Sequence, residues 1–358
     1  MKRIFSMLLA LLLSVSLLTM PAMAANDDLL ILSPTPLSSA QQQNTAEALK
    51  YLNLFRGSDK GFELDRAPTR MEAVIMLIRL LGQEYEIYGD ENGNPYVHPF
   101  TDAPVWQDAN DYLGYAYATG LTKGKTETTF DPNSPASLRE VMTMTLRALG
   151  YVDTDEAKMW DIWETKAAEI GLTADKSGEF TRGDAVMLYW NALYCKTNAS
   201  EAPLYESLYI APETMELASK VQAGNVDLEK DDLETIMTFL YAKTPGIYAY
   251  IGYMPLDKED PEGVAMRIGS SDIDFKEALA AEPMMMAQAH SIVLLRLNEG
   301  ADANRIMDTM KATVNPNRWI CVGVDPENVR TAVHGDLVLL AVDHNSAAFI
   351  DAFQSMVK

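Results

Sequence analysis

The stretch "TRMEAVIMLIRLLG" (69–82) opens with a polar tetrad and turns apolar at once, and "SLREVMTMTLRALG" (137–150) and "TRGDAVMLYWNALY" (181–194) do the same. This recurrence constrains the fold more than any composition does. One supersecondary unit is used three times, and such units bury their apolar faces against one another. Each tetrad begins with a hydroxyl residue, Thr69, Ser137 or Thr181, and carries an acid three positions on, Glu72, Glu140 or Asp184. The first two are capping boxes, in which the hydroxyl accepts from the amide of the acid and the carboxylate reaches back to the cap amide. Asp184 is shorter and makes a poorer reciprocal cap, although it suits the positive helix end.

The residues after each cap match by offset. Val74, Met142 and Val186 stand at five, Ile78, Leu146 and Trp190 at nine, and Leu81, Leu149 and Leu193 at twelve. That spacing is one apolar helix face. Offset ten is polar in all three: Arg79, Arg147 and Asn191. Gly82 and Gly150 stand where a left-handed residue ends a helix. A second helix precedes each capped one, "AEALKYLNLFRG", "YLGYAYATGLTKG" and "WETKAAEIGLT", and stops at Asn53, Gly120 or Gly171. Phe62 and Phe130 each stand seven residues before the cap, and the third unit lacks most of its loop.

"FTDAPVW" (100–106), "GLTKG", a Phe-Asp-Pro step and the Ser/Thr-x-x-Glu box together resemble the S-layer homology repeat, present here as three degenerate copies at about 46–82, 100–150 and 158–195. The resemblance implies an all-α, pseudo-threefold unit over residues 46–196. It also implies non-covalent attachment to an anionic secondary cell-wall polysaccharide, often one bearing a pyruvate ketal. In the family's tetrad an Arg follows the cap and faces the sugar groove. Arg70 and Arg182 occupy that place, so the resemblance makes them polysaccharide-binding, with Thr69, Glu72, Ser137, Glu140, Thr181 and Asp184 as capping, ligand-adjacent residues. A guanidinium in the first helical turn adds a planar donor fork to the positive helix end, which suits a carboxylate. The second unit departs from the pattern: Leu138 stands where the Arg belongs, and Arg139, one position on, is rotated about 100° around the helix. Trp106, Trp160 and Trp163 read as packing residues.

Lys2 and Arg3, the apolar run from Met7 through Leu18 and the Ala22-Met23-Ala24 site have the layout of a secretory signal peptide over 1–24. No later stretch is long and apolar enough to span a membrane once that segment is cleaved. Residues 25–45 and 197–212 read as linkers rich in Pro, Ser and polar residues. A net charge of −22 argues against nucleic acid as a partner. The chain is thus expected to be secreted, at the cell wall or surface.

Residues 213–358 read as an α+β domain with a mainly antiparallel sheet, so the fold class is multidomain: an all-α repeat unit followed by an α+β unit. "AHSIVLLRL", "RWICVGV", "VRTAVHG" and "DLVLLAVDH" are strand candidates, with a tight hairpin at His334-Gly335-Asp336. "PLDKEDPEGVAMRIGSSD" reads as a long polar connection, "ADANRIMDTMKATV" and "NSAAFIDAFQSMVK" as helices. The run from "EPMMMAQAHSIVLLRL" to "FIDAF" resembles domain-of-unknown-function family 4358, which brings no activity with it. Catalytic candidates are His290 with Ser291, His334 with Asp336, and Asp343 with His344. Asp336 and His344 lie ~26 Å apart on one strand, and Asp343 and His344 face opposite ways, so none forms a catalytic set. Met284-Met285-Met286 has no His or Cys beside it and reads as core or a soft contact surface. Cys195 and Cys321 read as two buried free thiols. No catalytic residue, metal site or cofactor is expected. The leading expectation is wall attachment through the repeats, with a C-terminal domain of unknown binding function. The alternatives are a secreted enzyme whose catalytic unit is the C-terminal domain, and repeats reduced to a structural spacer.

Overall fold

A computed structural model describes residues 39–357, apart from 59, 90–95, 107, 175–177, 247, 249 and 285–287. The expected signal peptide, residues 25–38 of the first expected linker, and Met285 and Met286 lie outside the described residues. Among the described residues nine α-helices come first: α1 (Ser39–Tyr51), α2 (Arg70–Leu80), α3 (Ala109–Ala118), α4 (Leu138–Ala148), α5 (Met159–Ile170), α6 (Arg182–Tyr194), α7 (Leu204–Ser207), α8 (Pro212–Ala223) and α9 (Leu233–Lys243). After them come β1 (Ile251–Pro255), α10 (Pro261–Ile268), β2 (Glu277–Pro283), β3 (Ser291–Arg296), α11 (Ala303–Thr313), β4 (Val329–His334), β5 (Leu337–Val342) and α12 (Ser346–Ser355).

The three capped helices start as their tetrads require. Thr69, Ser137 and Thr181 each accept from the amide of the acid three positions on, and each acid returns the bond to the cap amide. Asp184 completes its box despite the shorter side chain, with Thr181 N donating to Asp184 Oδ2 at 2.8 Å. Asn53, Gly82, Gly120, Gly150 and Gly171 all take positive φ where their helices end. The face at offsets five, nine and twelve is buried throughout except for the partly buried Leu81.

Neighbouring units meet at a repeated joint. The first two amides of α2 donate to the loop of unit two: Arg70 N to Ser134 O at 2.9 Å and Met71 N to Pro132 O at 3.1 Å. The first two amides of α6 donate to the matching carbonyls of unit one: Arg182 N to Arg66 O and Gly183 N to Leu64 O, both at 2.8 Å. The joint occurs between one and two and between three and one. These amides would otherwise be the orphan donors of a helix end.

The sheet is fully antiparallel, in the order β1-β2-β3-β5-β4. Its central strands β3 and β5 are buried on both faces, because helices cover both sides. Ile292, Leu294, Leu337 and Leu339 join α9 and α12 in one core, while Val293, Leu295, Val338 and Leu340 join α10 and α11 in another. The turn at Gly335 (φ 58°) closes the β4–β5 hairpin.

Several expectations are corrected. Residues 39–45 are the first turns of α1, not linker, and Thr45 is fully buried. Residues 197–212 are likewise packed: Lys196 bridges to Pro203, and α7 buries Leu204. The polar connection contains α10, started by Pro261 and capped by Asp260, whose side chain accepts from Gly263 N. "RWICVGV" is not a strand, since Cys321 has φ 61° and interrupts extension there. "EALAAEP", unread as a strand, is β2. Cys321 is exposed rather than buried, while Cys195 is buried, and both are free. The core that holds the repeats continues through α8 and α9 to α12 and one face of the sheet. The two expected domains therefore share one apolar interior.

Candidate functional site

Arg70 and Arg182 lie in equivalent places at the two joints. Arg70 Nε donates to Phe130 O at 2.8 Å, its guanidinium lies 4.8 Å from the Phe130 ring centre, and Nη1 pairs with Glu140. Arg182 Nε donates to Phe62 O at 2.9 Å, its guanidinium lies 5.6 Å from the Phe55 ring centre, and Nη1 stands 3.6 Å from Glu72. Each Arg thus meets the capping acid and the loop phenylalanine carbonyl of the next unit. Both are nearly buried, at 6% and 4% exposure. Nε and Nη1 of each arginine, and the adjacent helix-end amides, have partners within the protein. Burial lowers the Arg182 guanidinium, and Glu72 opposes this. Burial pushes the Glu72 carboxyl up, but hydrogen bonds from Arg66 and the Thr69 amide outweigh it and hold it below its ordinary value. Leu138 packs against the core, and Arg139 turns instead onto Trp160: its guanidinium lies 4.2 Å from that ring, and Nε donates to Trp160 O at 2.9 Å.

The polar residues at offset ten bind the loops. Arg79 and Arg56 both pair with Glu84, at 2.7 and 2.8 Å, and Arg147 and Lys123 both pair with Asp153, at 3.4 and 2.6 Å. Asn191 takes the same role toward Thr173 at 2.9 Å. Burial pushes Asp153 up, yet Lys123 and the Met159 amide hold its carboxyl low. Asp102 of "FTDAPVW" accepts the amides of Phe130 and Asp131, both at 2.8 Å, which fixes the loop from behind.

Beside each joint is a cleft. One, of about 610 Å³, is lined by Arg70, Lys123, Lys125, Arg147 and Lys158 against only Glu140, Asp153 and Asp161 among charged residues. Lys123 and Lys125 keep more than half of their side chains exposed. Trp160, at 42% exposure, forms part of the rim while it packs on Arg139 of the preceding unit. The other cleft, of about 760 Å³, is lined by Lys50, Arg56, Lys60 and Lys243 against Glu63 and Asp65. Each lining carries more cations than carboxylates in a chain of net charge −22, while Asp131 pairs with Lys125, Glu47 with Lys243 and Glu84 with Arg56 from outside the lining. A concave, cationic site with an aromatic rim suits an anionic sugar chain. These lysines were not among the residues expected from sequence, although "LTKGK" displays two of them.

In the C-terminal unit His290 Nδ1 lies 2.8 Å from Asp343 Oδ2 and Nε2 lies 2.5 Å from Tyr241 Oη. Spacing in the sequence pairs neither with His290. The imidazole is fully buried, and Ser291 bonds to Glu282 instead. This arrangement ties the start of β3 to the end of β5 and to α9.

Known surface proteins share part of this sequence. A "Cell surface protein" of Thermoanaerobacter kivui is 31% identical over 148 residues, 40% of this chain and 18% of that protein. A "Middle cell wall protein" of Brevibacillus brevis is 26% identical over 201 residues, 54% of this chain and 18% of the relative. A "Surface layer protein" of Brevibacillus choshinensis is 28% identical over 177 residues, 48% and 15%. By these similarities the protein is a cell-surface protein. The chain spans less than a fifth of the length of each of these relatives. No family model matches it.

Proposed function

We propose that the helical repeats are S-layer homology repeats and hold the protein, without a covalent bond, on an anionic cell-wall polysaccharide. The observation that carries this reading is the cationic cleft beside Arg70 in an otherwise acidic chain. Lys123, Lys125 and Lys158 offer ammonium groups to carboxylates of the polymer. Arg70 and Arg147 supply positive potential from the wall of the cleft, where burial weakens screening. Trp160 offers its ring to a sugar face. Arg70 also fixes Glu140 and the Phe130 loop, so it acts by shaping the cleft as much as by touching ligand. Arg182 does the same at the joint beside the second cleft. The C-terminal unit has a binding role of its own rather than a catalytic one.

The test uses the full chain, because the shared core makes the repeats part of a larger body. Purified protein is sedimented with wall sacculi before and after removal of the secondary polymer. Co-sedimentation should vanish with the polymer and should drop in a Lys123→Ala, Lys125→Ala, Lys158→Ala variant. Retention on polymer-free sacculi, or full binding by the triple variant, would sink the polysaccharide reading.

A further inference from the structure

The two clefts match in their inner walls and differ in the outer one. Arg56-Gly57-Ser58 lines one and Lys123-Gly124-Lys125 the other, each starting two residues after a Leu that follows a helix end, Leu54 or Leu121. In the Arg70 cleft the outer wall is the start of α5, with Lys158 and Trp160. In the larger cleft the outer wall is the end of α9 and the turn after it, with Lys243, Pro245 and Gly246. Those residues belong to the C-terminal unit.

That wall is fixed in place. Lys50 of α1 extends its ammonium to the last carbonyls of α9, with Tyr241 O at 3.1 Å and Thr244 O also in contact. Cations are favoured at this end of a helix. Lys243 returns the tie to α1 by pairing with Glu47 at 2.9 Å. Asn345, ahead of α12, holds Pro245 O at 3.3 Å. Attachments from two sides therefore set the position of residues 241–246 against the loop of unit one. Arg56 Nε is buried with no hydrogen-bond partner among the described residues. A buried donor of this kind is costly unless something accepts from it.

We infer that the C-terminal unit completes the second cleft as a binding site for the same anionic sugar chain, with Lys243 and Pro245 forming a wall that the repeats alone do not possess. The inference rests on the polysaccharide reading above and adds a contribution from outside the repeats. Lys60 lines the cleft from the repeats and the Glu47-paired Lys243 from the C-terminal unit, while Phe62 and Pro245 offer apolar surface to the sugar rings.

Pro245→Asp tests this. Pro245 is exposed and its carbonyl is kept, so the substitution leaves the Asn345 contact available and puts a negative charge on the wall. The probe is an oligosaccharide bearing a pyruvate ketal, titrated calorimetrically into the full chain, with amide exchange followed at residues 240–250. The variant should bind at this cleft about three- to tenfold more weakly, as one repulsive charge predicts. Wild-type amides in that segment should be protected by ligand, and Lys158→Ala should not alter that protection. Unchanged affinity in Pro245→Asp together with unprotected amides there, while Lys158→Ala weakens binding, would overturn the inference and leave the polysaccharide reading intact. A wild-type protein that does not bind the oligosaccharide would overturn both.

Discussion

Arg70 pairs with Glu140, seventy positions along the chain, and Glu140 is at the same time the reciprocal cap of its own helix. One carboxylate thus starts α4 and joins unit one to unit two. Removing the arginine leaves that carboxylate with its cap amide but without its cation. Arg70→Met should destabilise the fold by about 2–4 kcal/mol, in the range for breaking a mostly buried pair. Glu140→Gln should cost less, about 1–2 kcal/mol, because an amide still accepts. Urea melts of both singles and the double variant check the coupling, and additive effects would show that the pair does not interact.

Glycines at two loop positions should respond differently to alanine. Gly124 has φ +79°, and a Cβ there would lie 2.7 Å from Thr126 O and 2.8 Å from Thr129 O, as well as against the Phe100 ring. Gly120 has φ +78° with open space around it. Gly120→Ala should cost about 1 kcal/mol through backbone conformation alone. Gly124→Ala should cost at least about twice that, since backbone carbonyls cannot move away as a side chain can. Thermal melts of the two variants compare them directly.

Lys50 gives a pH dependence of definite sign. Burial lowers its ammonium to about 8 from the ordinary 10.5, with Glu47 opposing. Below pH 8 both folded and unfolded chains hold the proton, and the folded one bears the desolvation cost. Between pH 8 and 10.5 the folded state has released the proton while the unfolded state still binds it, so this contribution to stability rises with pH. It is lost again as pH falls through 8. Lys50→Met should lack the rise. Denaturant midpoints of both proteins from about pH 7.5 to 9.5 test this, below the range where partly buried tyrosines such as Tyr253 bring the opposite trend.

The two thiols should be separable by reactivity. Cys321 is exposed. Burial pushes the Cys195 thiol up to about 12, so little thiolate forms at neutral pH. A thiol-reactive dye should label one cysteine quickly in the native protein and a second only after denaturation. Cys321→Ser should abolish the fast phase.

What the sequence made legible was local. The caps at Thr69, Ser137 and Thr181, the face carried by Val74 and Ile78, and the ends at Gly82 and Gly150 all rest on spacing over a few residues. The β4–β5 hairpin is equally short-range. The joints and clefts depend on residues far apart in sequence, such as Arg70 with Phe130 or Lys50 with Thr244, and no spacing encodes these. β2 was hidden because "EALAAEP" has helix-forming residues, and its place between β1 and β3 overrides that preference. The start of α1 was hidden by "SSAQQQNT", whose polar residues look like linker until Thr45 is seen beneath α8. The arginines were found by resemblance, but their burial was not, since the acids that neutralise them belong to other units.

The apolar interior that runs from α2 to α12 has a mechanical meaning for a protein of the cell surface. On the proposed wall attachment, tension between the repeats and the C-terminal unit would not be carried by residues 197–212 alone. It would be spread over the side chains with which α1 grips α8 and α9, and over the ammonium of Lys50 held by the end of α9. Such a contact, loaded along its length, yields only when many small interactions fail together, so whatever the C-terminal unit displays is held in a set orientation to the surface beneath it.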